Sequence, residues 1–193
     1  MRIFTVDSFT DKPFTGNPAG VCILDNEYPD ELYQQIAREI NYSETAFLIK
    51  QNGYFRIRWF TPKTEVNLCG HATLAAAHIL YEYQYCDSSR EIRFDSKSGD
   101  LIAKQIGNKI ELNFPQLFVS KTDSNEILEK AFGIRPTYVG KNDNRYLIEI
   151  NTLHKFREKE NVAEEIRKNK RYDPISINRM FGYRIIKKKI IQN

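Results

Sequence analysis

One stretch of this chain leaves few folds open, because it is apolar on almost every side. Ala72–Tyr83 is rich in Ala and Leu, which have high helix propensity. A helix that is apolar all round is stable in water only when protein covers it on every side. We therefore expect this helix to be buried among strands near the centre of the fold.

Alternating or short apolar segments on both sides of the helix predict the strands that surround it. These segments are Arg2–Val6, Val21–Leu24, Thr45–Lys50, Tyr54–Phe60, Glu91–Phe94, Leu101–Ile106 and Lys109–Phe114. A further helix is predicted to begin at Pro29, with Leu32, Ile36 and Ile40 forming its inner stripe. Together these elements predict an α+β fold in which strands curl around one central helix.

The sequence predicts a first domain over residues 1–117 and a smaller, partial unit over residues 118–193. Two short helices (Asn125–Phe132 and Asn161–Lys170) and two strands (Thr137–Val139 and Arg145–Ile150) are expected in this second unit. The positive charge is concentrated at the end of the chain, where Lys155–Asn193 holds 12 Lys and Arg against 5 Asp and Glu. Such a tail either contacts nucleic acid or membrane, or is simply solvated. We favour a solvated tail, because no aromatic-basic motif of an RNA-binding module accompanies it.

Several classes of protein are disfavoured by composition. The chain has no apolar run of about 20 residues and no secretory signal at its start, so we expect a cytoplasmic protein. Three cysteines without a CxxC spacing fit a reducing compartment. Cys69 and His71 are the one close Cys/His pair, and no second pair completes a zinc site. We expect neither a metal nor a cofactor.

Glu44 is a candidate acid or base, because it lies between a predicted helix and a predicted buried strand. Burial beside a core raises the pKa of a carboxyl group toward neutrality, which suits general acid/base work. The alternative is an ordinary surface glutamate at a loop, since most glutamates are exposed.

Gly70 and His71 begin the apolar helix and are candidates for binding an anion. The first N–H groups of a helix have no partner within it and carry partial positive charge. The alternative is an ordinary helix start with a structural histidine. Cys69 is either a thiolate base or a small buried side chain, and we favour the latter. Asn17, in the predicted loop Gly16–Gly20, either reaches a ligand or forms an Asx turn.

Three blocks of this sequence resemble successive blocks of one known family. They are Ser8–Val21 (SFTDKPFTGNPAGV), Ile36–Phe47 (IAREINYSETAF) and Trp59–His78 (WFTPKTEVNLCGHATLAAAH). Their order and spacing are similar to those of the PhzF-like (phenazine biosynthesis) family, over residues 1–150. This family shares its fold with diaminopimelate epimerase, which has two similar domains, each a curled sheet around a central helix, and an active site in the cleft between them.

The resemblance implies a cofactor-independent isomerase acting on a small, anionic, carboxylate-bearing substrate. It implies that Glu44 shuttles a proton, and that Gly70 and His71 line the substrate pocket, with Ser43 and Asn17 as further pocket residues. In phenazine biosynthesis the family member isomerises a dihydro-hydroxyanthranilate by moving a proton and a double bond. Cys69 occupies the position of one catalytic cysteine of the epimerases, and we expect it to be a packing residue here.

The resemblance fades after residue 150, where the family carries an aspartate and a loop of small residues. Tyr172–Ser176 is faintly similar to a preceding family strand, but Asn178–Asn193 does not continue the pattern. We therefore hypothesise a truncated second domain with impaired activity. The alternative function is a non-catalytic remnant that binds small anions or a protein partner. Whether two copies form a homodimer stays open, and we expect no nucleic acid and no membrane as partners.

Overall fold

The computed structural model describes residues 1–115, 118–122, 136–141, 146–149 and 189–192. The chain forms two compact units, one of Met1–Gln116 with Arg184–Asn193 and the other of Leu117–Tyr183. Twelve strands lie within the described residues. They are β1 (Arg2–Ser8), β2 (Asn17–Leu24), β3 (Thr45–Lys50), β4 (Phe55–Phe60), β5 (Glu65–Val66), β6 (Ile92–Ser96), β7 (Gly99–Ile106), β8 (Lys109–Asn113), β9 (Ser120–Lys121), β10 (Tyr138–Lys141), β11 (Tyr146–Glu149) and β12 (Lys189–Gln192).

The first unit is built on a nine-stranded sheet with the order β1-β2-β3-β4-β6-β7-β8-β12, and β5 pairs beside β4. Most neighbouring strands are antiparallel, but β2–β3 and β4–β6 are parallel pairs. Parallel neighbours need a long crossover connection, usually a helix. Helix α1 (Asp30–Ile40) provides the first crossover, and helix α2 (Gly70–Glu82) lies within the second.

Helix α2 is the central helix that the sequence predicts. Ten of its thirteen residues are buried, and it packs against β1, β2, β3 and β8. Its run of alanines allows the surrounding backbone to approach closely. Larger side chains that include Trp59 and Phe94 fill the space between helix and sheet. The prediction of an α+β fold with a helix buried among strands is confirmed.

Helix α1 covers the opposite face of the sheet, and its inner stripe differs from the predicted one. Tyr33 and Ala37 are buried at its centre, whereas Leu32, Ile36 and Ile40 are only half-buried. The Tyr33 ring contacts Phe47 and Phe60 at centroid distances of 5.0 and 5.5 Å. Ile36 and Ile40 of the predicted stripe do pack against this core, but the prediction omitted Tyr33 and Ala37, because the sheet offers an aromatic surface that a tyrosine fills.

The segment predicted as a loop over Gly16–Gly20 belongs mostly to β2, which begins at Asn17. Pro18 is accommodated there because the pairing of β2 with β3 starts only at Gly20, so its missing N–H faces no partner strand. Gly20 lies against Thr45, and a Cβ atom at this position would be 2.7 Å from Thr45 Oγ1. Glycine is required there by this close approach rather than by a turn.

Within the second unit the structure describes a three-stranded antiparallel sheet in the order β11-β10-β9. β10 and β11 agree with the strands predicted at Thr137–Val139 and Arg145–Ile150. The helices predicted at Asn125–Phe132 and Asn161–Lys170 lie outside the described residues, as does the basic tail apart from β12. Among the helices that are described, none has the length and apolar character needed to cross a membrane.

Arg58 on β4 forms a part-buried ion pair with Glu65 on β5 and an exposed ion pair with Asp30 at the start of α1. Its guanidinium donates to both carboxylate oxygens of Glu65, at 2.8 and 2.9 Å, and to Asp30 at 2.7 Å. It also lies over the rings of Tyr33 and Phe60. The two hydrogen bonds from Arg58 hold the pKa of Glu65 below its usual value of 4.5.

This pair predicts how stability changes in acid. A carboxyl group whose pKa is lower in the folded state stabilises the protein above its unfolded pKa, and that contribution disappears as pH falls. We expect Glu65→Gln to lower the unfolding free energy at pH 7 and to make it fall less steeply below about pH 4.5. Urea unfolding at several pH values measures this, with Glu31→Gln at an exposed position of α1 as the control. Equal pH dependence in wild type and Glu65→Gln would contradict the assignment.

Candidate active site

Glu44 lies where α1 gives way to β3. Asn41 adopts a left-handed conformation (φ 56°) that ends the helix, and the chain turns so that Glu44 immediately precedes the strand. The Gly20 N–H donates to the Glu44 carbonyl oxygen at 3.2 Å, which fixes this turn against β2. The Glu44 side chain is 13% exposed, and its Oε2 is buried without a hydrogen-bond partner among the described residues. The surface-glutamate alternative therefore does not describe this residue.

His71 lies in the first turn of α2 and connects three side chains. Its Nε2 is 3.5 Å from Glu44 Oε2 and 3.3 Å from Ser43 Oγ. Its Nδ1 is 3.4 Å from Cys69 Sγ. The ring thus lies between a carboxylate and a thiol, and the fold brings together residues that are far apart in sequence.

The protonation of His71 is set mainly by burial. Removal from water lowers its pKa, because the charged imidazolium loses solvation. The Glu44 carboxylate and a hydrogen bond to the Pro18 carbonyl oxygen oppose this effect and only partly offset it. At neutral pH the ring is therefore neutral, and it can donate with one nitrogen and accept with the other.

Gly70 leaves open space at the start of α2. Beyond its two chain neighbours and the backbone of its own helix, an ideal Cβ atom built on Gly70 would have no heavy atom within 4 Å. Cys69 is the N-cap residue but makes no capping hydrogen bond with its side chain, and the first turn contains no acidic residue. The N-terminal amides of α2 therefore present partial positive charge to this space, which suits a carboxylate or another small anion.

Ser8 contributes a contact that the sequence did not predict. Its hydroxyl donates to the carbonyl oxygen of His71 at 2.8 Å, and both residues are buried. Asn17 lies directly opposite Ser8 in the β1–β2 pair. The contact was missed because it depends on how β1 packs against α2, and no local pattern around Ser8 signals it.

Some of the predicted site residues contact His71 directly, and others only lie near it. Ser43 and Glu44 each lie within hydrogen-bonding or ion-pair distance of His71, and Gly70 is next to His71 in the chain. Asn17 is half-buried at the start of β2 and precedes Pro18, whose carbonyl oxygen holds His71. The roles of these residues in binding or catalysis stay predictions.

One group of side chains could also hold a metal ion. Glu44, Cys69 and His71 each offer one donor atom, and the three atoms lie within 4.8 Å of one another. Among the described residues this is the one group of three or more His, Cys, Asp or Glu donors that lie close enough together.

The family model of phenazine biosynthesis-like proteins (PhzC-PhzF) matches residues 6–150, which include every residue of this site. The chain belongs to this family. An uncharacterized isomerase of Halalkalibacterium halodurans is 47% identical over 158 residues, which cover 81% of this chain and 59% of that protein. The resemblance seen in the sequence is thus confirmed, and the chain spans little more than half the length of this relative.

Solved structures confirm the fold. A PhzF-family phenazine biosynthesis protein from Enterococcus faecalis superposes with a TM-score of 0.70 and 33% identity, covering 79% of this chain and 58% of that chain. A predicted epimerase from Pseudomonas aeruginosa superposes with a TM-score of 0.65 at 22% identity, covering 86% of this chain and 66% of that chain. The epimerase-like α+β fold expected from the resemblance is therefore present in this PhzF-like chain.

Proposed function

We propose that this chain carries out isomerase-type proton transfer on a small carboxylate-bearing substrate, with Glu44 as the acid/base group. The observation that carries the proposal is the position of Glu44, whose side chain is 13% exposed and whose Oε2 lies 3.5 Å from Nε2 of the buried His71 at the start of α2. The relatives named as isomerases support the reaction class.

The chemistry requires a group that takes a proton from carbon and returns it elsewhere. Removal of that proton builds negative charge on the substrate, and preorganised N–H donors stabilise such charge. Glu44 supplies the proton-accepting oxygen, and the first turn of α2 supplies the donors. One carboxyl group that returns the proton to another carbon produces an isomer, and this scheme uses no cofactor.

His71 serves as a neutral hydrogen-bonding partner in this scheme. Because burial lowers the pKa of His71, the imidazole faces Glu44 as an uncharged group rather than as a cation. Ser43 and Ser8 position the ring and the backbone around it. Asn17 and Gly70 are proposed to contact the substrate from β2 and from the helix start.

The open space at Gly70 supports the proposed class of carboxylate-bearing substrates. A carboxylate there would accept hydrogen bonds from the helix amides, while the reacting carbon would lie toward Glu44. A dihydro-hydroxyanthranilate of the type used in phenazine biosynthesis is the first substrate to test. The alternative function is a chain that binds small anions without turnover, and the matched segment covers 59% of the isomerase relative.

Turnover by the purified chain separates these two functions. With the dihydro-hydroxyanthranilate in D₂O, an active enzyme incorporates deuterium at the carbon that receives the proton, and NMR detects it. Binding without deuterium incorporation would favour the non-catalytic alternative. If the chain neither binds this substrate nor incorporates deuterium into it, the proposed substrate class is contradicted.

Substitution of Gly70 tests the anion site directly. We expect Gly70→Ala to weaken binding of the carboxylate about 10- to 100-fold, because a methyl group would block a charge-assisted hydrogen bond. Folding should be unaffected, since the methyl group meets no atom within 4 Å and alanine favours a helix. Calorimetric titration with the substrate or a carboxylate analogue measures the change. His78→Ala, at an exposed position of the same helix, is the matched control, and an equal effect of both variants would contradict the assignment.

A further inference from the structure

We propose that Glu44, Cys69 and His71 form a binding site for a thiol-seeking divalent metal ion of the Zn²⁺ class. The observation behind this is the convergence of a carboxylate oxygen, a thiol sulfur and an imidazole nitrogen within 4.8 Å of one another. The proposal goes beyond isomerase chemistry and does not depend on it, because the site is defined by its donor atoms alone.

The donor set suits this class of ion. Zn²⁺ binds Cys sulfur at about 2.3 Å and His nitrogen or carboxylate oxygen at about 2.0–2.2 Å, usually in a tetrahedron. Two ligands of one such ion therefore lie roughly 3.3–3.6 Å apart. In the structure, Cys69 Sγ is 3.4 Å from His71 Nδ1, and Glu44 Oε2 is 3.5 Å from His71 Nε2.

A single ion can use only one nitrogen of the His71 ring. Nδ1 faces Cys69 and Nε2 faces Glu44, so one of those two side chains must move by about an ångström to complete the site. A rotation about side-chain torsions is sufficient for this. The Glu44 oxygen can move without breaking a bond, since Oε2 has no hydrogen-bond partner among the described residues.

The surroundings also favour a metal ion with one open position. His71 supplies a buried imidazole nitrogen, and imidazole is the commonest metal ligand among protein side chains. If Nδ1 binds the ion beside Cys69, Ser43 Oγ lies 3.3 Å from the other nitrogen, Nε2, and holds the ring as outer partners commonly do around metal ligands. The space in front of Gly70 leaves room for a water molecule or a substrate carboxylate as a fourth ligand.

The spacing of these residues in the sequence does not predict that they form one set of metal donors. Cys69 and His71 are two residues apart and have no second Cys/His pair nearby in the chain. The third donor is Glu44, which comes from the turn before β3 and meets α2 only in the folded protein. An ion at this position would occupy the carboxylate that we propose as the base, so it would inhibit proton transfer.

Titration of the full, reduced chain with Co²⁺ tests the site without an activity assay. Co²⁺ bound by a thiolate gives a ligand-to-metal charge-transfer band in the near ultraviolet, and a tetrahedral site gives visible d–d bands. We expect both bands to saturate at one Co²⁺ per chain. Zn²⁺ should then abolish them, because it binds such sites more tightly than Co²⁺.

Three variants decide whether the spectrum comes from this site. We expect Cys69→Ser to lose the charge-transfer band and Glu44→Gln to weaken Co²⁺ affinity about tenfold or more, since even outer partners of a metal commonly contribute 10- to 100-fold. Cys86→Ser, which removes a thiol outside the site, should leave the spectrum unchanged. Circular dichroism shows whether each variant is folded.

The proposal is overturned if wild type shows no charge-transfer band, if the band survives Cys69→Ser, or if Cys86→Ser removes it. If Cys69→Ser does not fold, the Co²⁺ affinity of Glu44→Gln becomes the test of the site. Unchanged affinity in that variant would reject the proposal. Because none of these readouts measures turnover, a failed metal test leaves the proposed isomerase function standing, and loss of that function leaves the metal test intact.

Discussion

Glu44→Gln should lower turnover by about 10²- to 10⁴-fold while leaving the fold intact, because it removes the group that accepts and returns the proton. The substitution keeps the volume of the side chain. It also breaks no hydrogen bond to Oε2, which has no partner among the described residues. The rate of deuterium incorporation from D₂O into the substrate measures the effect, and substrate binding should change much less than turnover.

Glu82→Gln is the matched control for this prediction. Glu82 is the last residue of α2 and is exposed, so the same chemical change there should leave turnover within a factor of about two. Wild-type turnover in Glu44→Gln would show that another residue moves the proton. If neither wild type nor Glu44→Gln turns over while both bind the substrate, the non-catalytic alternative gains support.

Leu80→Ala should lower the unfolding free energy by about 2–5 kcal/mol, the largest effect on stability that we predict. Leu80 is fully buried on α2, where it lies in the core between the helix and the sheet. Its truncation would leave a cavity, because the packed structure around a core side chain relaxes only partly. Urea unfolding followed by the fluorescence of Trp59, the single tryptophan, reports on the same core.

Leu32→Ala on α1 makes the same chemical change at a half-buried position. Both sites are helical, so the gain in helix propensity from alanine is the same and cancels in the comparison. We expect a loss of about 1 kcal/mol for Leu32→Ala, because the side chain is already partly in water. Equal losses in the two variants would contradict the view that α2, rather than α1, organises the core.

Sequence predictions were accurate where the pattern depends on consecutive residues, and less accurate where it depends on contacts between elements. The central helix and the hairpin strands β6, β7 and β8 were predicted because periodicity and turn residues are properties of consecutive residues. The burial of Tyr33 and Ala37 at the centre of the α1 stripe was missed, and the start of β2 was wrong. Both depend on a partner element, namely the aromatic face that receives Tyr33 and the strand that pairs with Asn17.

The candidate site divides in the same way. Glu44, Ser43, Gly70 and His71 could be singled out from their positions at element ends and from the family resemblance. Ser8 and the carbonyl of Pro18 could not, because their contacts to His71 depend on strand register and helix packing. The third metal donor beside Cys69 and His71 was hidden for the same reason.

The amino-acid sequence alone determined the family, the buried central helix and the choice of Glu44, just before β3, as the candidate acid or base. Each of these depends on patterns of consecutive residues or on the order of motifs. Only the tertiary structure decided that Glu44, His71 and Cys69 converge, and that open space remains at Gly70. The physical reason is that distances between side chains on different elements depend on sheet register and helix packing. Those are set by burial across the whole core and not by any one segment.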